Sequence, residues 1–129
     1  MLTLSLLITA LLFGGMVLYS FGFAAFVFSA LPSPVAGQTL RRAFPYFYLF
    51  VIATAAAAAA FLWSHDSFAA MLLAFISLST LPTRQILMPA INDATDAGAK
   101  NKFKFLHGLS VVITLAHIGM AGFVLARFV

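Results

Sequence analysis

The last hydrophobic segment of the chain carries two histidines and two hydroxyl side chains at helical spacing. Their positions are separated by three, four and three residues, and they are His107, Ser110, Thr114 and His117. At 100° per residue they lie within about 80° of one another, so an α-helix would present them as one polar stripe. An imidazole in hydrocarbon is costly unless it is paired. We therefore predict that the stripe faces the interior of a helix bundle or a subunit contact.

His117 is the centre of the predicted polar site. It lies near the middle of its segment, and Tyr19 and Ser20 lie near the middle of the first hydrophobic segment. We predict that these side chains reach a similar depth, with the Tyr19 hydroxyl or Thr114 as the hydrogen-bond partner of His117. Two interpretations stay open. His117 is a structural histidine that fixes helix register, or it is the centre of a site that binds a ligand or transfers protons.

A second group of polar residues surrounds the connection between the third and fourth hydrophobic segments. One hypothesis joins Arg84, Asn92 and Asp96 to His107 in a cluster at the ends of these two segments. The alternative is a solvated loop whose charges hold the helix ends and contact anionic lipid headgroups. Asp93 and Asp96 are too few ligands to close the coordination shell of a metal ion, so no metal site is predicted.

Composition indicates which elements must position these groups. The 129 residues are 64% hydrophobic and 8% charged, with a mean hydropathy of +1.10, outside the usual range of soluble domains. Uncharged runs are long enough to cross a bilayer at about 20 residues per span, and no alternation of period two is present. We predict an all-α fold, a polytopic four-helix membrane bundle that forms one domain over residues 1–129. Its predicted helices cover about 2–31, 44–63, 67–91 and 103–127, with loops at 32–43 and 92–102.

Prolines mark the predicted helix ends. Pro32 and Pro34 are expected to end the first helix, because proline lacks an amide donor and restricts the residue before it. Pro45 is expected in the first turn of the second helix, where its missing N–H costs nothing. Pro82 interrupts the third helix, and we predict a kink there in a helix that continues toward Asn92.

Basic residues are distributed unequally between the two sides of the predicted bundle. Of the seven Lys and Arg residues, only Arg127 lies on the side of the termini. The positive-inside rule predicts that both basic loops are cytoplasmic and that both termini are outside, in an inner membrane of bacterial type. The net charge of +4 then reflects orientation, and nucleic-acid binding is not predicted. Tyr46, Tyr48 and Trp63 lie near the ends of the second helix, where interfacial aromatics are expected. The six basic residues on the loop side are Arg41, Arg42, Arg84, Lys100, Lys102 and Lys104.

Small residues recur along the first segment. Gly15, Gly22 and Ser29 are seven residues apart, and Ala25 lies between the last two. A repeat of seven keeps one seam of a helix against a partner and lets the backbones approach closely. Two interpretations stay open, namely a seam against the second or fourth helix of the same chain and an interface between copies of the chain.

One stretch resembles a known family. The run from Met88 to Asn92, then Asp96, and then the pattern Phe-x-x-Leu-His-x-x-Ser from Phe103 to Ser110 resemble the transmembrane protein 205-like family, whose bacterial members are usually called a domain of unknown function. Thr95 departs from the family pattern, which often has arginine before the aspartate. The resemblance implies a four-helix domain over nearly the whole chain. It implies no established chemistry.

Three classes of function fit these observations. A structural or accessory subunit, or a scaffold of a membrane assembly, needs only the bundle and its seams, with the lipid bilayer and a second copy or other membrane proteins as partners. A transporter or channel for a small solute or ion would use the midplane polar site around His117. A haem-dependent oxidoreductase would need axial ligands, and His65 and His107 fall on opposite sides of the membrane. We predict the first class, with no catalytic residues and no cofactor.

Overall fold

The computed structural model describes all 129 residues, and it contains four long helices and no strand. We label the helices α1 (Leu2–Ala30), α2 (Ser33–Leu62), α3 (Ser67–Asp96) and α4 (Lys100–Ala126). Each is long and apolar enough to cross a membrane. This confirms the predicted all-α class and the predicted number of long apolar helices. Short connections join antiparallel neighbours, as in an up-and-down bundle.

The predicted loops at 32–43 and 92–102 are wrong, because most of those residues are helical. Helix α2 begins at Ser33, not near residue 44, and only Leu31 and Pro32 separate it from α1. Pro34 was expected only to end the first helix, but it lies in the first turn of α2, where proline is tolerated. Pro45 lies inside α2.

The connection between α3 and α4 is three residues long. Helix α3 continues to Asp96, and α4 begins at Lys100. Gly98 has a φ of +65°, the only positive φ in the chain, and this left-handed conformation reverses the chain direction after α3. The amide of Ala99 donates to the Ala94 carbonyl, which closes the helix end.

Two helices contain a π-helical turn. In α1 it covers Leu18–Phe23 after 16 α-helical residues. In α3 it covers Thr83–Leu87, again after 16 α-helical residues, and it follows Pro82 directly. A π turn shifts the register of the residues beyond it. The irregularity predicted near Pro82 is therefore present, whereas nothing in the sequence indicated the turn in α1.

The core lies where α2 packs against α1 and α3, and α4 packs on α1 and α3 from the other side. The alanine-rich part of α2 makes the approach close. Ala55, Ala58 and Ala59 are buried, and the Ser5 hydroxyl of α1 donates to the Ala58 carbonyl at 3.3 Å. Large apolar side chains cover the outer surface, for example Leu18 and Phe26, which are 70% and 65% exposed. Apolar side chains on the outer surface and paired polar groups in the interior are typical of a membrane bundle.

Candidate functional site

The imidazole of His117 is buried between α3 and α4. Its Nε2 lies 2.8 Å from the Ser79 hydroxyl, and that hydroxyl lies 2.7 Å from the Phe75 carbonyl oxygen. A hydroxyl has one proton, so both contacts are satisfied when Ser79 donates to the carbonyl and His117 donates through Nε2. The partner predicted for His117, Tyr19 or Thr114, is therefore wrong. The hydrogen bond joins two helices that are neighbours in the sequence.

A small cavity lies beside His117. Its free space is about 10 Å³, about the room that one water molecule needs. Helices α2, α3 and α4 supply its polar lining, and Met16 of α1 closes it. The polar residues in this lining are Tyr48, Thr80, Thr83, Thr114 and His117.

The polar stripe of α4 is buried at only one end. His117 is buried and Thr114 is half-buried against the cavity. Ser110 donates to the carbonyl of His107 in its own helix at 2.7 Å. The ring of His107 is exposed and stacks on Phe103, with the ring centroids 5.4 Å apart. The four residues do share one face, but that face leaves the bundle toward the start of α4.

Tyr19 and Ser20 do not join His117. Tyr19 stacks on Phe47 with a centroid distance of 4.6 Å and an interplanar angle of 5°, and it also contacts Phe23 and Phe44. The Ser20 hydroxyl is buried and has no hydrogen-bond partner, the one such side-chain oxygen in the chain. Both residues lie in the π turn of α1, where an extra residue per turn changes the direction of the side chains.

Arg41 contacts two members of the predicted polar cluster, Asn92 and Asp96, although the prediction did not include it. Its guanidinium lies 2.9 and 3.3 Å from the two carboxylate oxygens of Asp96, and it also donates to the Asn92 carbonyl at 3.2 Å. This paired arrangement clamps α2 to the end of α3. Arg84 and His107 are not part of it, so the predicted cluster is wrong in two of its four members. Arg84 instead donates to the Pro45 carbonyl at 3.1 Å and to Gln85 at 2.7 Å.

A second ion pair closes the opposite end of the bundle. Arg127 Nε lies 2.6 Å from Asp66, and Asp66 also accepts from the amide of Ala69 at the start of α3. The hydrogen bond from Arg127 holds the pKa of the Asp66 carboxyl below its usual range. The guanidinium also lies over the rings of Phe68 and Phe123. The pair joins the end of α4 to the start of α3.

The predicted small-residue seam is split between two environments. Gly15 packs on Phe50 of α2, where a Cβ would lie only 2.6 Å from the ring. Gly22, Ala25 and Ser29 are exposed on the outside of the bundle. The π turn between Gly15 and Ala25 breaks the seven-residue register, because the pattern assumed a continuous α-helix.

An apolar groove follows this split on the surface between α1 and α2. Its volume is about 680 Å³, and it is open to the surface of the bundle. Gly15, Leu18 and Gly22 contribute to its lining, and aromatic rings form most of its walls. These aromatic residues are Tyr19, Phe23, Phe26, Tyr46, Phe47 and Phe50.

The comparison with protein families gives one match. The family model described as a domain of unknown function (DUF4149) matches residues 7–100, nearly three quarters of the chain. The chain belongs to the DUF4149 family. No curated protein and no solved structure matches it. The matched part of this DUF4149 protein includes α1, α2 and α3 with Arg41, Ser79 and Asp96, and it ends at the first residue of α4, before His117.

The structural roles of three residues of the DUF4149 bundle were not predicted from the sequence. Ser79 escaped because the sequence does not give the register between helices, and the nearby Ser77 hydroxyl donates instead to the Ile52 carbonyl at 2.8 Å. Tyr48 was expected at the membrane interface, but it is buried beside the cavity, whereas Tyr46 is 75% exposed. Arg41 was expected in a loop. Pro45, one turn away, argued against a helix that already runs through Arg41, because an interior proline removes a backbone hydrogen bond.

The chemistry open to this arrangement is narrow. No group of three His, Cys, Asp or Glu side chains could hold a metal ion. His65, beside Ser64 in the turn before α3, and His107, at the start of α4, lie in separate parts of the chain. The side chains around His117 are hydroxyls, which hydrogen-bond but do not titrate near neutral pH. They can hold helices in register or carry a water molecule.

Proposed function

We propose that this DUF4149 protein is a structural or accessory subunit of a membrane assembly. One observation carries the proposal, namely that three interior polar side chains hydrogen-bond from one helix to another. His117 bonds Ser79, Ser77 bonds the Ile52 carbonyl and Ser5 bonds the Ala58 carbonyl, so each contact joins two helices. Polar groups committed in this way stabilise a bundle but leave no chain of free sites for a solute.

We also propose that the protein lies in a bacterial inner membrane with both termini outside. The distribution of charge supports this orientation. Arg41, Arg42 and Arg84 lie toward the end of the bundle that also contains the start of α4 with its three lysines, whereas Arg127 lies at the opposite end. An excess of Lys and Arg on one side is the usual mark of the cytoplasmic side. A kinship with the transmembrane protein 205-like family stays part of this proposal, on the residues that follow Arg84.

The outer face of α1 supports the proposed partner, a second copy of the chain or another membrane protein. Gly22, Ala25 and Ser29 are exposed there. Small residues on a lipid-facing surface allow a second helix to approach closely. The aromatic groove of about 680 Å³ includes Gly22 in its lining and offers apolar surface for contact with such a helix.

The oligomeric state of purified protein tests this interface. Gly22→Ile should separate the assembly in a mild detergent, because a branched side chain keeps two backbones apart. Gly14→Ile is the matched control, since Gly14 is also exposed and a Cβ there meets nothing within 4 Å. Light scattering reads the mass of both variants, and circular dichroism shows that both remain helical. An assembly that survives Gly22→Ile unchanged would contradict the role assigned to this face.

Small-solute or ion transport is the second candidate, and the cavity beside His117 is the observation that favours it. Three helices bring polar side chains to this point, and the π turn of α3 begins at Thr83, which lines it. Interrupted helices beside a midplane polar site are typical of transporters. The cavity nevertheless has room for only about one water molecule, so any path through it would have to open.

Proton flux separates the two candidates. Liposomes that contain wild-type protein and a trapped pH dye should hold an imposed pH gradient as long as empty liposomes do. His117→Phe should leave that rate unchanged and lower thermal stability slightly, because hydrogen bonds between membrane helices contribute about 0.6 kcal/mol on average. Thr54→Val is a control for the loss of a polar group, since the Thr54 hydroxyl bonds only within α2. A flux that depends on His117 would establish transport in place of the structural role.

A further inference from the structure

Arg84 is a cation within the third span, and its contacts in the protein are with neutral groups. Its Nε donates to the Pro45 carbonyl at 3.1 Å, and Nη1 donates to Gln85 Oε1 at 2.7 Å. Seventeen residues separate it from Ser67 (84 − 67), which at 1.5 Å per residue is about 25 Å along the helix. The hydrocarbon core is about 30 Å thick, so Arg84 lies near its far edge if the span enters the membrane at Ser67.

No carboxylate compensates this charge. The chain has three acidic residues. Asp66 pairs with Arg127 and Asp96 pairs with Arg41, whereas Asp93 is exposed and forms no ion pair. An ionised side chain at membrane depth is costly unless an anion or water reaches it. The counterion of Arg84 must therefore come from outside the chain.

The surface around Arg84 faces lipid, so the anion must be one that lipid can supply. Leu81 is 45% exposed and Ile86 is 70% exposed, and both lie within three residues of Arg84. Apolar side chains exposed at this height contact acyl chains, and the phosphate groups of the same lipids lie just beyond the edge of the hydrocarbon. A half-buried guanidinium at that edge is within reach of those phosphates.

The donors that remain free belong to two neighbouring helices, α2 and α3. A guanidinium has five N–H groups, and Arg84 uses two of them, so three remain. Gln85 accepts through its carbonyl oxygen, which leaves both amide hydrogens available. Arg42 is exposed, forms no ion pair and lies one turn before Pro45 on the same face of α2. Bidentate donation from arginine is the favoured recognition of a phosphate.

We propose that Arg84, with Gln85 and Arg42 beside it, binds the phosphate group of an anionic phospholipid between α2 and α3. The π turn that carries Arg84 and Gln85 sets both side chains on the outer surface next to Pro45. The site stands independently of the accessory role proposed above, because it requires only that the bundle lies in a membrane. It gives the protein a preference for anionic lipid at one position, in addition to the general attraction of its lysines.

Lipid retention tests the site. Wild-type protein is placed in nanodiscs of phosphatidylcholine with a minor fraction of phosphatidylglycerol, extracted with mild detergent and analysed by native mass spectrometry. We expect one phosphatidylglycerol to remain bound, and Arg84→Gln to lower its apparent affinity about tenfold, as loss of a charge-assisted pair implies. Lys102→Gln is the matched control, because it removes one exposed positive charge from the same end of the bundle. Equal losses in both variants would reduce the effect to general charge and overturn the site.

Two further arms cover folding and the source of the phosphate. Gln85→Leu removes only the free amide donors from an exposed position and should weaken retention while the bundle stays folded. Unchanged retention in Gln85→Leu, together with a folded Arg84→Gln that retains lipid fully, would refute the proposal. Inorganic phosphate added to protein in neutral detergent should not raise the thermal midpoint. Saturable stabilisation by inorganic phosphate alone would assign the site to a free anion and overturn the lipid assignment.

Discussion

The structure allows the change in unfolding free energy to be estimated most directly for Gly15→Ala. A Cβ at Gly15 would lie 2.6 Å from Phe50 Cε1 and 2.8 Å from Phe50 Cζ. Carbon atoms in contact prefer about 3.5–4.0 Å, so the ring must move away by about 1 Å. Such overpacking costs about 1–3 kcal/mol. Replacement of glycine by alanine inside a helix gains about 0.5–1 kcal/mol. We expect a net loss of about 0–2.5 kcal/mol.

The neighbouring glycine separates these two effects. A Cβ at Gly14 meets nothing within 4 Å, so Gly14→Ala should show the helix-propensity gain alone. The difference in unfolding free energy between the two variants then isolates the contact with Phe50, at about 1–3 kcal/mol. Both proteins are unfolded by titration with a denaturing detergent, and loss of helical circular dichroism gives the free energies.

A second substitution identifies the ring as the cause. Phe50→Leu shortens the side chain that Gly15 contacts, so Gly15→Ala in that background should resemble Gly14→Ala. A double-mutant cycle should therefore show coupling of the same size as the single-site cost. Additive effects of Gly15→Ala and Phe50→Leu, or equal stabilities of the two alanine variants, would refute the close packing of α1 on α2 at this point.

Two more predictions follow from the ends of the bundle. Ser64→Cys should react with a membrane-impermeant thiol reagent in intact cells, whereas Ser33→Cys and Ala99→Cys should react only after permeabilisation; the opposite pattern would reverse the proposed orientation. Asp66 has a folded-state pKa below its usual range, so its ion pair should stabilise the protein above about pH 3.9, the unfolded-state value, and lose that effect as pH falls through the folded-state pKa. Thermal midpoints measured from pH 3 to 7 should fall in wild type over that acid range and change less in Asp66→Asn. The asparagine keeps an acceptor for the start of α3 but removes the charge. Equal pH profiles of the two proteins would contradict a stabilising role of the ion pair.

The sequence predicted the spans well because hydrocarbon imposes a length and a composition on every helix that crosses it. Helix ends beyond the hydrocarbon were predicted poorly, since that constraint stops there. The segment from Ser33 to Phe44 contains a proline, a glycine and two arginines, which is typical of a loop, yet it is helical. Its contact with the end of α3 through Arg41 and Asp96 joins residues 55 positions apart. A local pattern contains no information about such a contact.

The candidate site was predicted in part for a related reason. Helical spacing placed His117 and Thr114 together, and both line the interior cavity. The choice of partner was wrong because it required the register between helices. Counting residues from charged ends gives depth to within about one turn, which is too coarse to distinguish Ser77 from Ser79. The π turn in α1 then moved Tyr19 and Ser20 away from the face that a regular helix would have given them.

The two π turns occupy equivalent positions in α1 and α3. Adding 65 to a residue number takes the start of α1, Leu2, to the start of α3, Ser67, and takes the first π turn at Leu18 to the second at Thr83. The two helices therefore have the same sequence of segments and run in the same direction. The same shift carries Tyr19, in the wall of the apolar groove, to Arg84.

This equivalence separates the roles of the two halves. Both π turns change the register of the side chains, and they lie at the same position along their helices. In α1 that position carries an aromatic ring that lines the groove, next to the exposed face proposed to receive another helix. In α3 it carries a guanidinium with no carboxylate partner. Under the two proposals, one half contacts apolar protein surface and the other contacts a lipid phosphate. Exchange of the two side chains, Tyr19→Arg with Arg84→Tyr, should move lipid retention from the α2–α3 side to the α1–α2 side if depth and the π turn determine it.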